Sequence, residues 1–412
     1  MTGAPLSPPP LGPAPHDASR FAAQQRFGLN FFCLFAVFGV VAPYLQVLLD
    51  ARGFSKQNIG FILGGVEAAG LVSPLLWGWV SDHSRHRRSI MAAAVLGAGA
   101  TFLLFGRVAG VGVGLAVALC FGFFVRPIIP LTDGFVLRYL SEHRGDYGRA
   151  RVWGSLSFVF TILVLEALGV ADEQKGTRLI LGAVVVLTLF HLGSVSLLPL
   201  TANEHAVRSG RTPYRRVEFD WSLLRSRAFV ILLAVGFLGR MAMQSQYSFF
   251  TLFVREEIGY AQAGKLWTLG ALAEIPVIFF SGVLIARLGI RNLLVLGLLG
   301  ATLRITGYAV APILWVVVAL QALHALAFGA FHVATVTFVA RLVPSGMKQS
   351  AMAVFVAVSM GLGAILGSAL GGVLIEHFGY RAMYGVFSCI GAASCVAAWL
   401  FLAEPSPHTP EP

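Results

Sequence analysis

Two short segments that lie 204 residues apart decide how this sequence folds. The first reads Gly78-Trp-Val-Ser-Asp82-His-Ser-Arg85-His-Arg87-Arg88, and the second reads Gly282-Val-Leu-Ile-Ala286-Arg287-Leu-Gly289-Ile-Arg291. Each segment separates two long apolar runs, and each combines glycine with basic residues. Because the offset is about half the length of the chain, the pattern predicts two related halves.

The apolar runs around these segments recur along the whole chain. Of the 412 residues, 57% are hydrophobic and 12% are charged, whereas a soluble protein has about 25% charged residues. The composition therefore excludes a water-soluble globular protein. Runs of about 20 apolar residues are long enough to cross a bilayer, and at that length only helices satisfy every backbone group in lipid. We predict an all-α polytopic membrane protein with twelve transmembrane helices, centred near residues 38, 68, 98, 120, 160, 189, 240, 274, 301, 323, 362 and 391.

The longest polar stretch divides these helices into two groups of six. It spans residues 201–227 and contains six arginines, so we interpret it as a basic cytoplasmic linker. The predicted units are two six-helix pseudo-repeats and two disordered tails, at residues 25–200, 228–403, 1–24 and 404–412. Two related bundles are typical of transporters with a site at the membrane midplane.

The distribution of basic residues predicts the orientation in the membrane. With both termini in the cytoplasm, the cytoplasmic loops and tails hold 19 of the 30 Lys and Arg residues, and the outer loops hold 8. Because basic residues near span ends stay on the cytoplasmic side, we predict an N-in, C-in topology. The net charge of +11 therefore reflects orientation and does not indicate nucleic-acid binding.

Several classes of function have no support in the sequence. The four cysteines lie inside apolar runs, which argues against a disulfide framework or a metal site. No glycine-rich phosphate loop is present, so we do not expect ATP to drive the protein. No Ser-His-Asp arrangement stands out either. We therefore predict that the protein is not an enzyme and has no cofactor other than a proton gradient.

The first segment resembles the signature loop of the major facilitator superfamily. Glycine, three residues, aspartate and a basic cluster stand between the second and third of twelve spans, as in that family. The match departs at His83, where the family usually has Arg or Lys, and at Ala286, which occupies the acidic position of the second copy. The resemblance implies the major facilitator fold. It also implies a gating role for the loop residues Gly78, Asp82, Arg85, Arg87, Arg88, Arg287 and Gly289.

Four further segments are similar to the phenylpropionate-permease-like branch of this superfamily, which is related to lactose permease. They are 127–133, 147–155, 266–274 and 321–332. The similarity extends from about Phe27 to Leu402. It implies a proton symporter.

Charged residues inside the fourth span are candidates for substrate binding, because a charge in lipid is costly unless it faces protein or water. Arg126 and Asp133 are seven residues apart and therefore share a helix face. The resemblance implies that Asp133 pairs with Arg151, at the start of the fifth span, to bind substrate. The alternative is that Arg151 and its neighbour Arg149 are cytoplasmic-edge residues.

Glu67 is an intramembrane carboxylate in the middle of the second span, among small residues that permit close helix packing. A desolvated carboxylate can carry a proton near neutral pH, so Glu67 is a candidate for proton coupling. The alternative is a structural partner of an intramembrane arginine.

Two polar stripes occur in the second half. Arg240, Gln244 and Tyr247 follow helical spacing on the seventh span, so they share one face that lipid would not tolerate. We predict that this face lines a cavity, although Arg240 could instead pair with an acid on a neighbouring helix. On the tenth span the second polar stripe, which also includes Phe328, is formed by Gln321, His324 and His332. We predict that it too lines the substrate cavity, and the alternative is that the histidines only pack and form hydrogen bonds.

The resemblance places the proton machinery on the eighth, ninth and tenth spans. This chain supplies Glu274, Arg304 and His324, but Ala327 stands where the lactose-permease pattern has a glutamate. We favour Glu274 as the proton carrier, with its charge balanced by Arg304 when deprotonated. His324, Glu67 and Asp133 are the alternatives.

Together these features predict a monomeric, proton-coupled symporter of the inner membrane that works by alternating access. The resemblance to the phenylpropionate-permease-like branch implies a small organic acid as the favoured substrate, an aromatic carboxylate such as phenylpropionate. A slight excess of arginines over acids in and beside the spans also favours an anion. The alternatives are symport of a sugar or nucleoside, efflux by the same fold, and a membrane sensor that transports nothing. Its partners would be the small-molecule substrate, protons and the lipid bilayer.

Overall fold

The computed structural model describes residues 17–84, 86–143, 146–172, 174–199, 224–343 and 347–405. Within these ranges all regular secondary structure is helical. Arg85, residues 201–223 of the predicted linker, and the outer parts of both predicted tails, 1–16 and 406–412, lie outside the described residues.

The described part of the first half contains eight α-helices. They are α1 Asp17–Ala51, α2 Lys56–Ala69, α3 Ser73–His83, α4 Arg87–Leu104, α5 Val111–Val125, α6 Ile128–His143, α7 Tyr147–Ala167 and α8 Gly176–Ser196. The pair α2 and α3 and the pair α5 and α6 each form one apolar crossing. The break between α5 and α6 falls at Pro127, because proline has no backbone N–H to continue the helix.

The described part of the second half contains another eight α-helices. They are α9 Arg227–Glu256, α10 Gly264–Phe279, α11 Ser281–Leu288, α12 Ile290–Val310, α13 Leu314–Leu320, α14 Phe331–Leu342, α15 Lys348–Phe355 and α16 Gly363–Phe401. Two π-helical turns, Ala325–Ala330 and Val356–Leu362, precede α14 and α16. Such turns often occur at functional sites.

Ten helical segments of the described chain are long and apolar enough to cross a membrane, or eleven if the pair α10 and α11 is one span bent by 63°. The last two predicted spans, centred near residues 362 and 391, share one continuous segment, Ser350–Phe401. Within it Gly379 leaves helical geometry with φ of 80°.

The first helix begins earlier than the sequence predicts. Residues 17–24 were expected to belong to the disordered tail, but they form the first two turns of α1. Pro15 is the last proline before this helix, and the alanine, glutamine and arginine residues that follow favour helix.

The two halves contact each other through α1 against α9, α2 against α16, and α7 against α10. Helices α2 and α16 approach each other closely at Gly60 and Gly372. A Cβ atom on Gly60 would overlap the backbone of Ser368, and one on Gly372 would overlap the backbone of Lys56. Glycine is therefore required at both positions for the helices to pack at this distance.

Candidate functional site

A cavity of about 210 Å³ lies between the two halves. Helices α1, α2, α5 and the adjoining Arg126 line it from the first half, and α9 and α10 line it from the second. Five of the residues selected from the sequence lie in its wall: Glu67, Arg126, Arg240, Gln244 and Tyr247. The cavity therefore brings together residues of both halves that the sequence had marked as candidates.

Glu67 and Arg126 form an ion pair on the first-half side of the cavity. Arg126 Nη2 donates to Glu67 Oε1, and the two side chains are 32% and 13% exposed. The arginine directly follows α5, and the carboxylate lies in the last turn of α2. This geometry matches the interpretation of Glu67 as a partner of an intramembrane arginine, and its role in proton coupling stays a prediction.

Arg240 faces the cavity from α9 without a carboxylate partner. Its guanidinium lies over the ring of Tyr247, 5.2 Å from the ring centroid. No Asp or Glu oxygen among the described residues lies within ion-pairing distance of it, and its Nε has no hydrogen-bond partner there. The acid on a neighbouring helix that could have neutralised Arg240 is thus not found in the described part of the chain.

Gln244 is held one turn further along α9 by two serines. Its Nε2 donates to Ser248 Oγ at 3.1 Å and to Ser368 Oγ at 3.2 Å. The Oε1 atom of Gln244 is buried without a partner among the described residues. Gln46 of α1 also lines the cavity, and its Oε1 is likewise buried and unpaired there. Two amide oxygens from opposite halves therefore lack donors within the described part of the chain.

Aromatic rings form another part of the cavity wall. The rings of Tyr247 and Trp267 lie 6.3 Å apart, and Trp267 Nε1 donates to Thr251 Oγ1 at 2.9 Å. Phe38 and Phe121 line the cavity from the first half. The cavity thus combines aromatic surfaces with a guanidinium that has no acidic partner among the described residues.

The proposed proton residues of the second half form one connected chain of polar contacts. His324 Nε2 lies 3.5 Å from Glu274 Oε2, and His324 Nδ1 lies 2.8 Å from Arg304 Nη1. Arg304 Nη2 donates to Gln321 Oε1, and Gln321 Nε2 donates to the Tyr308 hydroxyl at 3.0 Å. His324 therefore stands between Glu274 and Arg304, where the sequence predicted a direct charge balance.

The contacts of His324 fix its tautomer. Arg304 can only donate, so Nδ1 of His324 must accept and the proton of the neutral ring must be on Nε2. Nε2–H then points to the Glu274 carboxylate. In this arrangement the imidazole cannot also bind a proton at Nδ1 without losing its contact with Arg304. The role of Glu274 as the proton carrier stays a prediction.

The predicted stripe on the tenth span is a stack of rings. The His324 and Phe328 rings lie 5.7 Å apart at an angle of 12°, and Phe328 and His332 lie 5.8 Å apart at 4°. His332 interacts electrostatically with Arg151, Glu274 and Arg240. The stack therefore connects the polar contacts around Glu274 with charged residues of both halves.

Asp133 and Arg151 are close enough to interact electrostatically, but they form no direct ion pair in the described chain. Asp133 accepts a hydrogen bond from the Tyr147 hydroxyl at 2.9 Å. Arg151 lies over the Phe35 ring, 4.0 Å from its centroid. Neither residue lines the central cavity, so their predicted role in substrate binding remains a prediction.

The first signature loop surrounds a second pocket of about 200 Å³. Asp82 Oδ1 lies 3.3 Å from Arg87 Nη2 and 3.7 Å from Arg138 Nη2, and Gly78 lines the same pocket. Arg88 Nη1 donates to the carbonyl of Ser196 at 3.5 Å. Arg138 was not selected from the sequence, because its distance to Asp82 depends on how α3 packs against α6.

The second signature loop obtains a carboxylate from the end of the chain. Glu404 accepts hydrogen bonds from the backbone N–H groups of Ile290 at 2.7 Å and Arg291 at 2.9 Å. It lies over Gly289, which has φ of 80°, and Arg287 is exposed. Glu404 thus places a carboxylate beside the second signature loop, which has Ala286 in the position of Asp82. The sequence had assigned Glu404 to the disordered tail.

Further contacts join the halves at the opposite end of the bundle from the signature loops, which we call the Lys56 end. Lys56 pairs with Asp50 of its own half and, at 2.6 Å, with Glu256 of the other half. Its backbone N–H donates to Glu376 at 2.8 Å. Buried Glu166 also bridges the halves there. Sequence reasoning missed these residues because they lie at span ends, where charge is ordinary.

Comparisons with known proteins agree with this architecture. Residues 26–386 match the profile of the MFS_1 like family. The chain is 28% identical over 375 residues to a maltose permease of Geobacillus stearothermophilus, covering 89% of this chain and 91% of the relative. It is also 28% identical over 383 residues to a probable 3-phenylpropionic acid transporter of Escherichia coli (strain K12), covering 90% and 95%.

The fold is also that of solved transporters. The structure of the nucleoside transporter NupG matches with a TM-score of 0.78 at 18% identity, over 92% of this chain and 98% of that one. A D-xylose–proton symporter matches with a TM-score of 0.65 at 16% identity, over 94% and 98%. The chain belongs to the MFS_1-like family of the major facilitator superfamily, and it is a multi-pass membrane protein and secondary transporter, not an enzyme.

Proposed function

We propose that the protein is a proton-coupled symporter of a small organic acid, with an aromatic carboxylate such as phenylpropionate as the leading substrate. The observation that carries this proposal is Arg240, whose guanidinium faces the cavity without an acidic partner in the described chain. A substrate carboxylate would complete a charge-assisted hydrogen-bonded pair in a place where an unpaired charge is costly.

The aromatic residues of the cavity wall support a substrate that carries an aromatic ring. A ring attached to the carboxylate would lie among Tyr247, Trp267 and Phe38, where ring pairs at offset or edge-to-face geometry are favourable. The pair Glu67 and Arg126 is already neutral, so it leaves Arg240 as the free cation of the cavity among its described residues.

The chain from Glu274 to Arg304 supports proton coupling. A proton that binds Glu274 would remove its negative charge and weaken its contact with His324, which stacks through Phe328 on His332. His332 interacts electrostatically with Arg240. Protonation of Glu274 and binding of an anion to Arg240 would therefore both change the electrostatic environment of His332.

The proposal includes twelve spans with both termini in the cytoplasm of an inner membrane, and a monomer as the working unit. The break at Gly379 supports twelve, since it divides Ser350–Phe401 into two segments. The basic loops support the orientation. The Lys56 end, where the halves are joined, would then be the outer end.

Transport of an uncharged sugar or nucleoside is the second candidate. It is favoured by the unpaired amide oxygens of Gln46 and Gln244, which would accept hydrogen bonds from hydroxyl groups. A maltose permease and a nucleoside transporter among the similar proteins point in the same direction.

Uptake by purified protein in liposomes tests both candidates. Labelled 3-phenylpropionate, maltose and a nucleoside are offered with an inward proton gradient, with and without a protonophore. We expect protonophore-sensitive accumulation of the acid, and we expect Arg240→Gln to abolish it while Arg149→Gln, a change at an 82% exposed side chain, does not. Accumulation of a neutral solute alone would overturn the carboxylate assignment, and absence of any flux would favour a sensor.

A further inference from the structure

Glu166 joins the two halves through a single carboxylate oxygen. The residue lies in the last turn of α7 and is 3% exposed. Its Oε1 accepts a hydrogen bond from the Tyr44 hydroxyl of the same half at 2.9 Å. The same atom accepts from the backbone N–H of Gly264, the first residue of α10 in the other half, at 2.7 Å.

The contact between Glu166 and Gly264 depends on a glycine at position 264 and on the negative charge of Glu166. A Cβ atom on Gly264 would overlap both the Tyr44 hydroxyl and Glu166 Oε1, so the approach requires glycine. The N-terminus of a helix carries a partial positive charge, which favours an anion at the start of α10. A neutral acid at this position would hold α10 less strongly.

The second oxygen of Glu166 has no donor. Oε2 is buried and makes no hydrogen bond with the described residues. An unpaired carboxylate oxygen in the protein interior is costly. A proton can bind this atom without displacing Tyr44 or Gly264, so the carboxyl can be neutralised while the surrounding structure stays in place.

Two charged or titratable side chains face Glu166 from the packed helices: Tyr44 on α1, and Arg255 on α9 of the other half. Asp50 of α1 interacts electrostatically with Arg255. Arg255 donates to the carbonyl of Val170 at 3.4 Å and interacts electrostatically with Glu166. Neutralising Glu166 would therefore weaken two links between the halves, one to α10 and one to Arg255.

Helix α10 connects this contact to the candidate proton carrier. Gly264 begins the helix and Glu274 follows ten residues later, a distance of about 15 Å along a helix axis. A change in the hold on the start of α10 therefore acts on the helix that carries Glu274.

We propose that Glu166 is a second proton-binding site, which controls whether the Lys56 end is closed or open. As a carboxylate it holds the start of α10 and balances Arg255, so the halves stay together at this end. A proton from the adjacent solution binds Oε2, the charge is lost, and the halves separate more readily. The proposal requires alternating access, and it does not depend on which solute is carried.

The test measures opening directly, without any solute. Cys33, Cys120, Cys389 and Cys395 are replaced by serine, and one reporter is introduced as Leu45→Cys. Leu45 follows Tyr44, is 4% exposed and lines the central cavity. A membrane-impermeant maleimide is added from the Lys56 side of sealed vesicles at acidic and alkaline pH. Each rate is divided by that of the denatured protein, which removes the intrinsic pH dependence of the thiol.

We expect the parent to label faster at acidic pH by roughly tenfold, which corresponds to about 1.4 kcal/mol in the opening equilibrium. Glu166→Gln, which imitates the protonated acid, should label at the fast rate at both pH values. Glu257→Gln, a change at an exposed acid of the same end, should keep the pH dependence of the parent. If Glu166→Gln does not fold, Tyr44→Phe, which removes one donor to Oε1, should reduce the difference between the two pH values.

Two results would overturn the proposal: a parent whose labelling does not depend on pH, or Glu166→Gln with the full pH dependence of the parent. Failure of carboxylate transport is a separate outcome, since the labelling is done without solute. A protein that labels as expected but transports only a sugar would refute the assigned substrate and leave the role of Glu166 intact.

Discussion

Arg304 donates to His324 across 2.8 Å and so determines which ring nitrogen of the histidine carries a proton. Because Nδ1 is occupied as an acceptor, Nε2–H faces Glu274. The histidine is therefore held by Arg304 with its N–H side toward the candidate proton carrier, whose Oε2 lies 3.5 Å from Nε2.

Replacing His324 by phenylalanine tests this function. His324→Phe keeps a ring that can stack on Phe328 but removes both polar contacts, so we expect proton-driven accumulation to fall by about tenfold or more. Counterflow, which needs no net proton movement, should be affected less. His377→Phe changes an exposed histidine and serves as the control. Equal losses in accumulation and counterflow would show that the histidine only packs the helix.

Glu274→Gln removes the group that we expect to carry the proton. The amide keeps the size of the side chain and a carbonyl oxygen for His324 Nε2–H, so the variant should fold. We expect loss of accumulation against a gradient with retention of solute exchange, measured in the same liposomes. Glu257→Gln, an exposed acid in a loop, should behave as the parent. A variant that still accumulates solute would transfer the carrier role to Glu67, Asp133 or His324.

The sequence predicts the parts of the site that lie along one helix. Arg240, Gln244 and Tyr247 share the cavity wall, because helical spacing determines which residues share a face. The stripe of the tenth span is not part of this wall: Gln321, His324 and His332 are absent from the cavity lining, in a segment that includes a π-helical turn. The resemblance to the superfamily likewise predicted the fold, since it rests on segments in the right order along the chain.

Contacts between helices were harder to predict. The sequence paired Asp133 with Arg151, whereas Asp133 binds Tyr147 and Arg151 lies over Phe35. The carboxylate beside the second signature loop belongs to Glu404, which is more than a hundred residues from that loop along the chain. Local spacing carries no information on such distances, because they depend on how far each helix is shifted against its neighbour.

We expect Gln46→Leu to have opposite effects on the stability of the empty protein and on its affinity for the solute. The Oε1 of Gln46 is buried without a partner among the described residues, so a similar apolar side chain should stabilise the empty protein by about 1 kcal/mol. If the solute donates a hydrogen bond to this oxygen, its apparent affinity should fall in the same variant. Thermal unfolding and ligand-induced thermal shifts measure the two effects.

Gln262→Leu, in the loop before α10, is the matched control for the Gln46 variant, because it lies outside the cavity. We expect Gln262→Leu neither to stabilise the empty protein nor to lower its apparent affinity for the solute. A Gln46 variant that is destabilised would mean that the amide has a partner in the native protein, such as a bound water, and would remove it as a free acceptor.

Glu404 should stabilise the second half although it lies after the last helix. Its two oxygens accept from the first N–H groups of α12, at Ile290 and Arg291, where an acidic cap is favoured by the helix dipole. We expect Glu404→Ala to lower the free energy of unfolding by about 1 kcal/mol, and Glu404→Gln to lower it less because one oxygen remains. Thermal unfolding of the purified protein measures both changes, with Glu257→Ala as the control. Equal stability of Glu404→Ala and the parent would mean that solvent replaces the carboxylate without loss, so that the acid missing at Ala286 needs no substitute.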